Sequence, residues 1–126
     1  MVGYLLISTP LSTLLNGWVL LKLVLNALSN SLINLKKNLV QDKIKFVDFP
    51  SNLKTKYSLI VSNISGEYLE KNFVYIVSKL MERGIFIISG LNKSKKESFT
   101  NLASIENTKI LDVLVSGSWM AMIFEK

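Results

Sequence analysis

The stretch "YSLIVSNISGEYLEKNFVYIVSKLMERGIFIISG", residues 57 to 90, decides the fold. Tyr57, Leu59, Ile60 and Val61 suit a covered sheet position and predict a strand over 57–62. Beyond Gly66, residues Tyr68, Leu69, Phe73, Ile76, Val77 and Leu80 recur on a helical period, which predicts a helix closed by Gly84 at its C-terminus. The run "IFIISG" (85–90) is short, continuous and apolar, the form of a parallel strand covered on both faces. One feature breaks the pattern: the first strand stops on Ser62 and Asn63, polar residues just before the apolar Ile64. Asn63 reads as a cap for the helix that follows, or as a satisfied turn residue.

Upstream, "KIKFVDF" (43–49) alternates charged and apolar side chains and turns at Pro50, so it reads as a strand. Before it, Leu28, Leu32, Leu35 and Leu39 make the single apolar stripe of an amphipathic helix. The front of the chain divides into Val2–Ile7, a break at "STP", Leu11–Leu15, an "NG" turn and Val19–Leu25. These are apolar runs bounded by turn residues, as buried strands are, although Ser8 and Thr9 before Pro10 also suit a helix start. Downstream, "NKSKKESFTNLASIEN" (92–107) predicts a more exposed helix, and "KILDVLVSGSWMAMIFEK" (109–126) predicts a hairpin about Ser116, Gly117 and Ser118. Strands alternating with helices and a terminal hairpin describe an α/β sandwich, helices on both faces of a mostly parallel sheet, in a single domain over 1–126.

Composition limits the chemistry. The 126 residues are 49% hydrophobic and 19% charged, which suits a packed domain. With no cysteine there is neither disulfide nor thiolate, and the chain fits a reducing, cytoplasmic compartment. With no histidine, triads and zinc sites lose their usual members. Asp42, Asp48 and Asp112 and the six glutamates form no D-x-D cluster, so no metal site is expected. The net charge of +6 comes from dispersed lysines without an interleaved aromatic stripe, which argues against specific nucleic-acid recognition. Residues 4–28 are apolar but broken by Pro10, Asn16, Gly17 and Lys22, so they fail as the roughly 20 residue span a bilayer needs.

The order of these motifs resembles the second half of the catalytic domain of the ribosomal protein L11 methyltransferases. Val61 through Ile64 stands for that family's strand-ending Asn segment, Gly84 through Gly90 for its Gly-strand-Ser-Gly segment, and Gly117 and Trp119 for its closing Gly-x-Trp hairpin. The likeness covers about residues 43–126. It implies a three-layer Rossmann-like methyltransferase sandwich, S-adenosylmethionine as cofactor, and amines of a large-subunit ribosomal protein as acceptors. Ligands of open α/β sheets bind outside the carboxyl ends of the strands. On this resemblance Asp48 lies near the adenine, and Asn63 lies near the methyl group, where its amide oxygen accepts a hydrogen bond from the incoming amine and aims its lone pair.

The family's glycine-rich loop is replaced by "MVGYLLISTP", in which Gly3 is the remnant, and Asn26 stands where an acidic residue would hold the ribose. The N-terminal part is accordingly expected to be truncated or degenerate, with Val2–Ile7 taking the place of the missing first strand at the sheet centre. Trp119 is expected to pack as a core or edge aromatic, and Ser89 and Gly90 to make a sharp turn. Three functional readings follow: an S-adenosylmethionine-dependent methyltransferase, a non-catalytic Rossmann-like remnant or binding module, and a small membrane-anchored protein.

Overall fold

The computed structural model describes residues 4–8, 18–22, 44–48 and 56–126. Within them seven strands form one sheet: β1 (Tyr4–Ser8), β2 (Trp18–Lys22), β3 (Ile44–Asp48), β4 (Tyr57–Asn63), β5 (Leu80–Asn92), β6 (Lys109–Ser116) and β7 (Trp119–Glu125). Their order is β3-β2-β1-β4-β5-β7-β6. Helix α1 (Gly66–Ser78) joins β4 to β5. A 3-10 turn (Lys93–Lys95) and helix α2 (Lys96–Ile105) join β5 to β6.

Side-chain alternation builds the core. Ile60 of β4, Phe86 and Ile88 of β5, and Met120, Met122 and Phe124 of β7 all point to one face, each at 2% exposure or less. The ladder aligns Ile60 with Phe86 and Phe86 with Phe124 across three strands. Onto this row α1 lays Leu69, Phe73, Ile76 and Val77, and α2 lays Phe99 and Ala103. Phe73 sits at the centre, its ring 5.3 Å from Phe124, 6.0 Å from Phe99 and 6.1 Å from Phe86. Burying each such side chain contributes about 1.5–3 kcal/mol, so this aromatic cluster anchors both helices to one side of the sheet. Leu59, Val61, Ile85, Ile87 and Ile123 alternate onto the opposite side and are half-buried. The amphipathic helix expected at Leu28–Leu39 falls outside the described residues.

Two local expectations are corrected. Gly84 does not cap α1. The helix ends at Ser78 because Lys79 turns, its N–H bonding the carbonyl of Ile76 at 3.0 Å, and its own carbonyl accepts from Tyr57 N–H at 2.8 Å. That bond starts the β4/β5 ladder at Tyr57 and Leu80; Leu59 then faces Ile85, so Met81–Gly84 bulge out between them. Gly90 likewise does not close a strand, because β5 continues to Asn92 past an irregularity between Ile88 and Leu91.

Strand direction is mixed. β2/β3 and β4/β5 pair in parallel, whereas β1/β2, β1/β4, β5/β7 and β6/β7 are antiparallel. Five strands therefore run one way, and β1 and β7 run against them. The segment expected to fill the sheet centre does so, but reversed. The reason lies in chain length: parallel neighbours need a crossover of about a dozen residues or more, and residues 9–17 between Ser8 and Trp18 are too few. They suffice for an antiparallel hairpin. The predicted hairpin at the other end of the chain forms as expected, turning at Gly117 with φ +60°. Among the described residues no helix is long and apolar enough to cross a membrane.

Candidate functional site

The carboxyl ends of β2, β3, β4 and β5 share one edge of the sheet. Lys22 faces Asp48 where β2 and β3 end, and Asn63 is the last residue of β4. Asp48 and Asn63 thus stand on the same edge, separated by β2 and β1, roughly 14 Å at the usual strand spacing. Because β1 is reversed, its first residue, Tyr4, lies opposite Asn63. Its last residue, Ser8, lies opposite Trp18 at the far edge, so the connection leaving β1 starts away from Asn63. Gly3 and Asn26 fall outside the described residues.

Asn63 does not cap the helix. The N-cap position of α1 belongs to Ser65, which itself makes no side-chain cap bond and donates instead to Glu67 Oε2 at 2.8 Å. The exposed Asn63 carboxamide lies against Gly90, and among the described residues it has no hydrogen-bond partner. Gly90 adopts φ +71°, and a Cβ built on it would fall on Asn63 Oδ1. β4 and β5 are tied once more where Ser89 Oγ donates to the Ser62 carbonyl at 3.4 Å. Ser62 Oγ, beneath this point, is buried with no partner among the described residues.

Two openings flank the strand ends. One, of about 260 Å³, is lined by Gly90, Leu114, Val115, Ser116, Trp119, Met120 and Ala121, and is almost wholly apolar. The other, of about 250 Å³, is lined by Ser65, Gly66, Glu67, Gly90, Asn92, Lys95 and Trp119. Gly90 and Trp119 border both. Trp119 is 53% exposed, so of the two places expected for it, core or edge, the core is ruled out: Ser116, opposite it in the hairpin, is exposed and too small to cover the indole.

The second opening carries a fixed charge cluster. Lys95 Nζ donates to Glu70 Oε2 at 2.7 Å and stands 3.6 Å from Glu67 Oε1, while Ser98 Oγ donates to the other oxygen of Glu70. The hydrogen bonds from Lys95 and then Ser98 hold the Glu70 carboxyl below its ordinary pKa of 4.5, and the bond to Glu70 raises that of Lys95. Glu67, in the first turn of α1, is lowered mainly by its own backbone N–H, then by Ser65 and Lys95. This cluster ties α1 to the start of α2 beside the site. Among the described residues no group of three acidic, histidine or cysteine side chains is placed to hold a metal.

The sequence points to Asn63 and Asp48, and the structure sets both at strand ends on one edge. The sequence assigns Gly90 a plain turn role and shows nothing of the Lys95 cluster. The Ser-Gly pair after a buried run was the available signal for Gly90; the lysine cluster, joining residues 25 apart, left none.

The family model for ribosomal protein L11 methyltransferase (PrmA) matches residues 25–126. The chain is 31% identical over 99 residues to the "Ribosomal protein L11 methyltransferase" of Thermosipho melanesiensis, covering 79% of this chain and 36% of the relative. It is 28% identical over 102 residues to that of Bacillus subtilis, covering 79% and 33%. Among solved structures, the ribosomal protein L11 methylase of Lactobacillus delbrueckii subsp. bulgaricus superposes with a TM-score of 0.75 at 20% identity, over 82% of this chain and 54% of that one. The precorrin-6y C5,15-methyltransferase of Geobacter metallireducens gives 0.69 at 15% identity, over 84% and 64%. The chain spans about a third of the length of the curated relatives it matches.

Proposed function

The chain belongs to the ribosomal protein L11 methyltransferase family, and from that premise we propose that it is an S-adenosylmethionine-dependent methyltransferase-type protein whose acceptors are amines of ribosomal protein L11. The observation that carries this reading is the place of Asn63: exposed, at the carboxyl end of β4, its carboxamide set against Gly90. S-adenosylmethionine supplies an electrophilic methyl group on a sulfonium. Transfer to an amine needs no acid, base or covalent nucleophile from the protein once the amine is neutral; it needs the nitrogen brought into line. The Asn63 oxygen would accept an N–H of the amine and so leave the amine lone pair free for the methyl group. Asp48, at the end of β3 on the same edge, is the residue that this reading sets near the adenine. No residue of the chain has to change protonation state, which agrees with a sequence that lacks histidine and cysteine.

The place of Asn63 supports the acceptor side of this reading, and the direction of β1 bears on the donor side. In an α/β dinucleotide or cofactor site the turn leaving the central strand brings backbone N–H groups to the ligand. Here β1 leaves the sheet centre at the opposite edge. That single observation favours the second reading, a non-catalytic Rossmann-like module that retains the family sheet. Calorimetry separates the two. The enzyme reading expects heat on titration with S-adenosylmethionine and a rise in Tm, since ligand at a hundredfold its Kd stabilises by about 2.7 kcal/mol. Absence of both at millimolar ligand defeats it and leaves the module.

A further inference from the structure

Asn63, at the end of β4, and Gly90, inside the irregular part of β5, are 27 positions apart and meet in a way that neither motif shows alone. We infer that Gly90 is a positioning residue for Asn63: its missing side chain is the seat of the Asn63 carboxamide, and this seat sets the direction in which the amide oxygen faces an acceptor amine. The inference rests on the proposed reading only for the last step, the effect on methyl transfer; the seat itself is a matter of packing.

Three facts carry it. The volume an L side chain would take at residue 90 is already occupied, with Asn63 Oδ1 inside contact distance of the built Cβ and Asn63 Cγ at 3.3 Å. Gly90 sits at φ +71° within the irregular step of the β5/β7 ladder between Ile88 and Leu91, so β5 is bent where it meets Asn63. β-bulges of this kind re-aim side chains beside functional sites. Finally, Asn63 has no hydrogen-bond partner among the described residues, and its contact with Gly90 is a restraint on its rotamer. Gly117 provides an internal control. It too has positive φ, +60°, but a Cβ there meets nothing within 4 Å. Replacing Gly117 by alanine therefore reports the backbone cost of a left-handed alanine by itself, and replacing Gly90 reports that cost plus the collision.

The test is a cycle of thermal unfolding on the intact chain with Gly90→Ala, Asn63→Ala, the double variant and Gly117→Ala. Gly90→Ala is expected to lower Tm more than Gly117→Ala by a small margin, roughly 1–3 °C for a domain of this size, because the Asn63 carboxamide is the exposed far end of a side chain and can turn aside. In the Asn63→Ala background, where the seat is vacant, the loss from Gly90→Ala is expected to shrink to that of Gly117→Ala. An equal loss in both backgrounds overturns the inference. If Gly90→Ala alone fails to fold, folding of the double variant supports the seat, and failure of the double variant while Asn63→Ala folds overturns it. A second readout concerns direction: the side-chain amide resonances of Asn63 should move in Gly90→Ala and stay put in Gly117→Ala, and no movement in either counts against the inference. Where methyl transfer is measurable, Gly90→Ala should lower kcat with the KM for S-adenosylmethionine unchanged. A protein that binds no S-adenosylmethionine but passes the unfolding cycle removes the enzyme reading and keeps the seat.

Discussion

A carboxamide and a carboxylate at position 63 treat an incoming amine differently. The neutral amide accepts one N–H and leaves the amine's proton equilibrium nearly alone; a carboxylate in the same place stabilises the ammonium form, raises its pKa, and ties up the lone pair that must attack. On the proposed reaction, Asn63→Asp should therefore keep the shape of the site yet shift the rising limb of the pH–rate profile to higher pH. Asn63→Ala, which removes the aiming group, should lower kcat by about a hundredfold, the usual cost of a misplaced reactant, and leave that limb where it is. Steady-state rates across pH decide this, and an unshifted limb in Asn63→Asp would count against a hydrogen bond from amine to residue 63. At this scale the sequence showed a good deal. An amide closing a buried run is visible as an anomaly in "YSLIVSNIS". Its seat on Gly90 was not visible, because it depends on the register between β4 and β5, a long-range quantity that local pattern does not encode.

Among the elements, α1 was the most legible. Leu69, Phe73, Ile76 and Val77 bury as their spacing required. Its end was misjudged at Gly84, since the helical period runs on through Leu80, and what stops the helix is a pairing demand from Tyr57 on a different element. The contact between α1 and the start of α2 has a testable pH signature. Glu70 is held below the ordinary 4.5 by Lys95 first and Ser98 next, so its contribution to stability is present above the unfolded carboxylate pKa and is lost as pH falls through the folded one. Lys95 is raised by Glu70, so its share is present below the unfolded lysine pKa and is lost as pH rises through the folded one. The pair stabilises across the neutral plateau and fades at both ends. Glu70→Gln is accordingly expected to lower Tm at pH 7, with the difference from the parent chain closing as pH drops below 4.5. The change should be modest, because Lys95 and Glu70 retain 26% and 22% side-chain exposure, and solvent screens such pairs. A gap in Tm that persists unchanged into acid would assign the loss to packing instead.

For the whole molecule, the decisive quantity is the direction of one strand. An apolar run such as "YLLIS" reads the same buried in either direction, so its own sequence cannot orient it. The orienting information lies in the nine residues between Ser8 and Trp18, enough for a hairpin and too few for a crossover, and in the empty place that β2 and β4 leave between them. Reversal places the exit of the central strand at the edge opposite the carboxyl ends of its neighbours. Because the chain contains no cysteine, a single introduced pair reports this direction without interference. With β1 antiparallel to β4, Tyr4 faces Asn63 and Ile7 faces Ile60. Paired residues of such a ladder have Cα atoms about 4.5–5.5 Å apart, inside the range a disulfide spans. Tyr4→Cys with Asn63→Cys should therefore oxidise readily to a crosslinked chain. Ile7→Cys with Asn63→Cys should not, since three residues of strand, roughly 10 Å, separate those positions along the sheet. A β1 running with β4 would bring Ile7 level with Asn63 and carry Tyr4 away, so the opposite crosslinking pattern on a non-reducing gel would overturn the reversed strand, and with it the argument it lends to the non-catalytic reading.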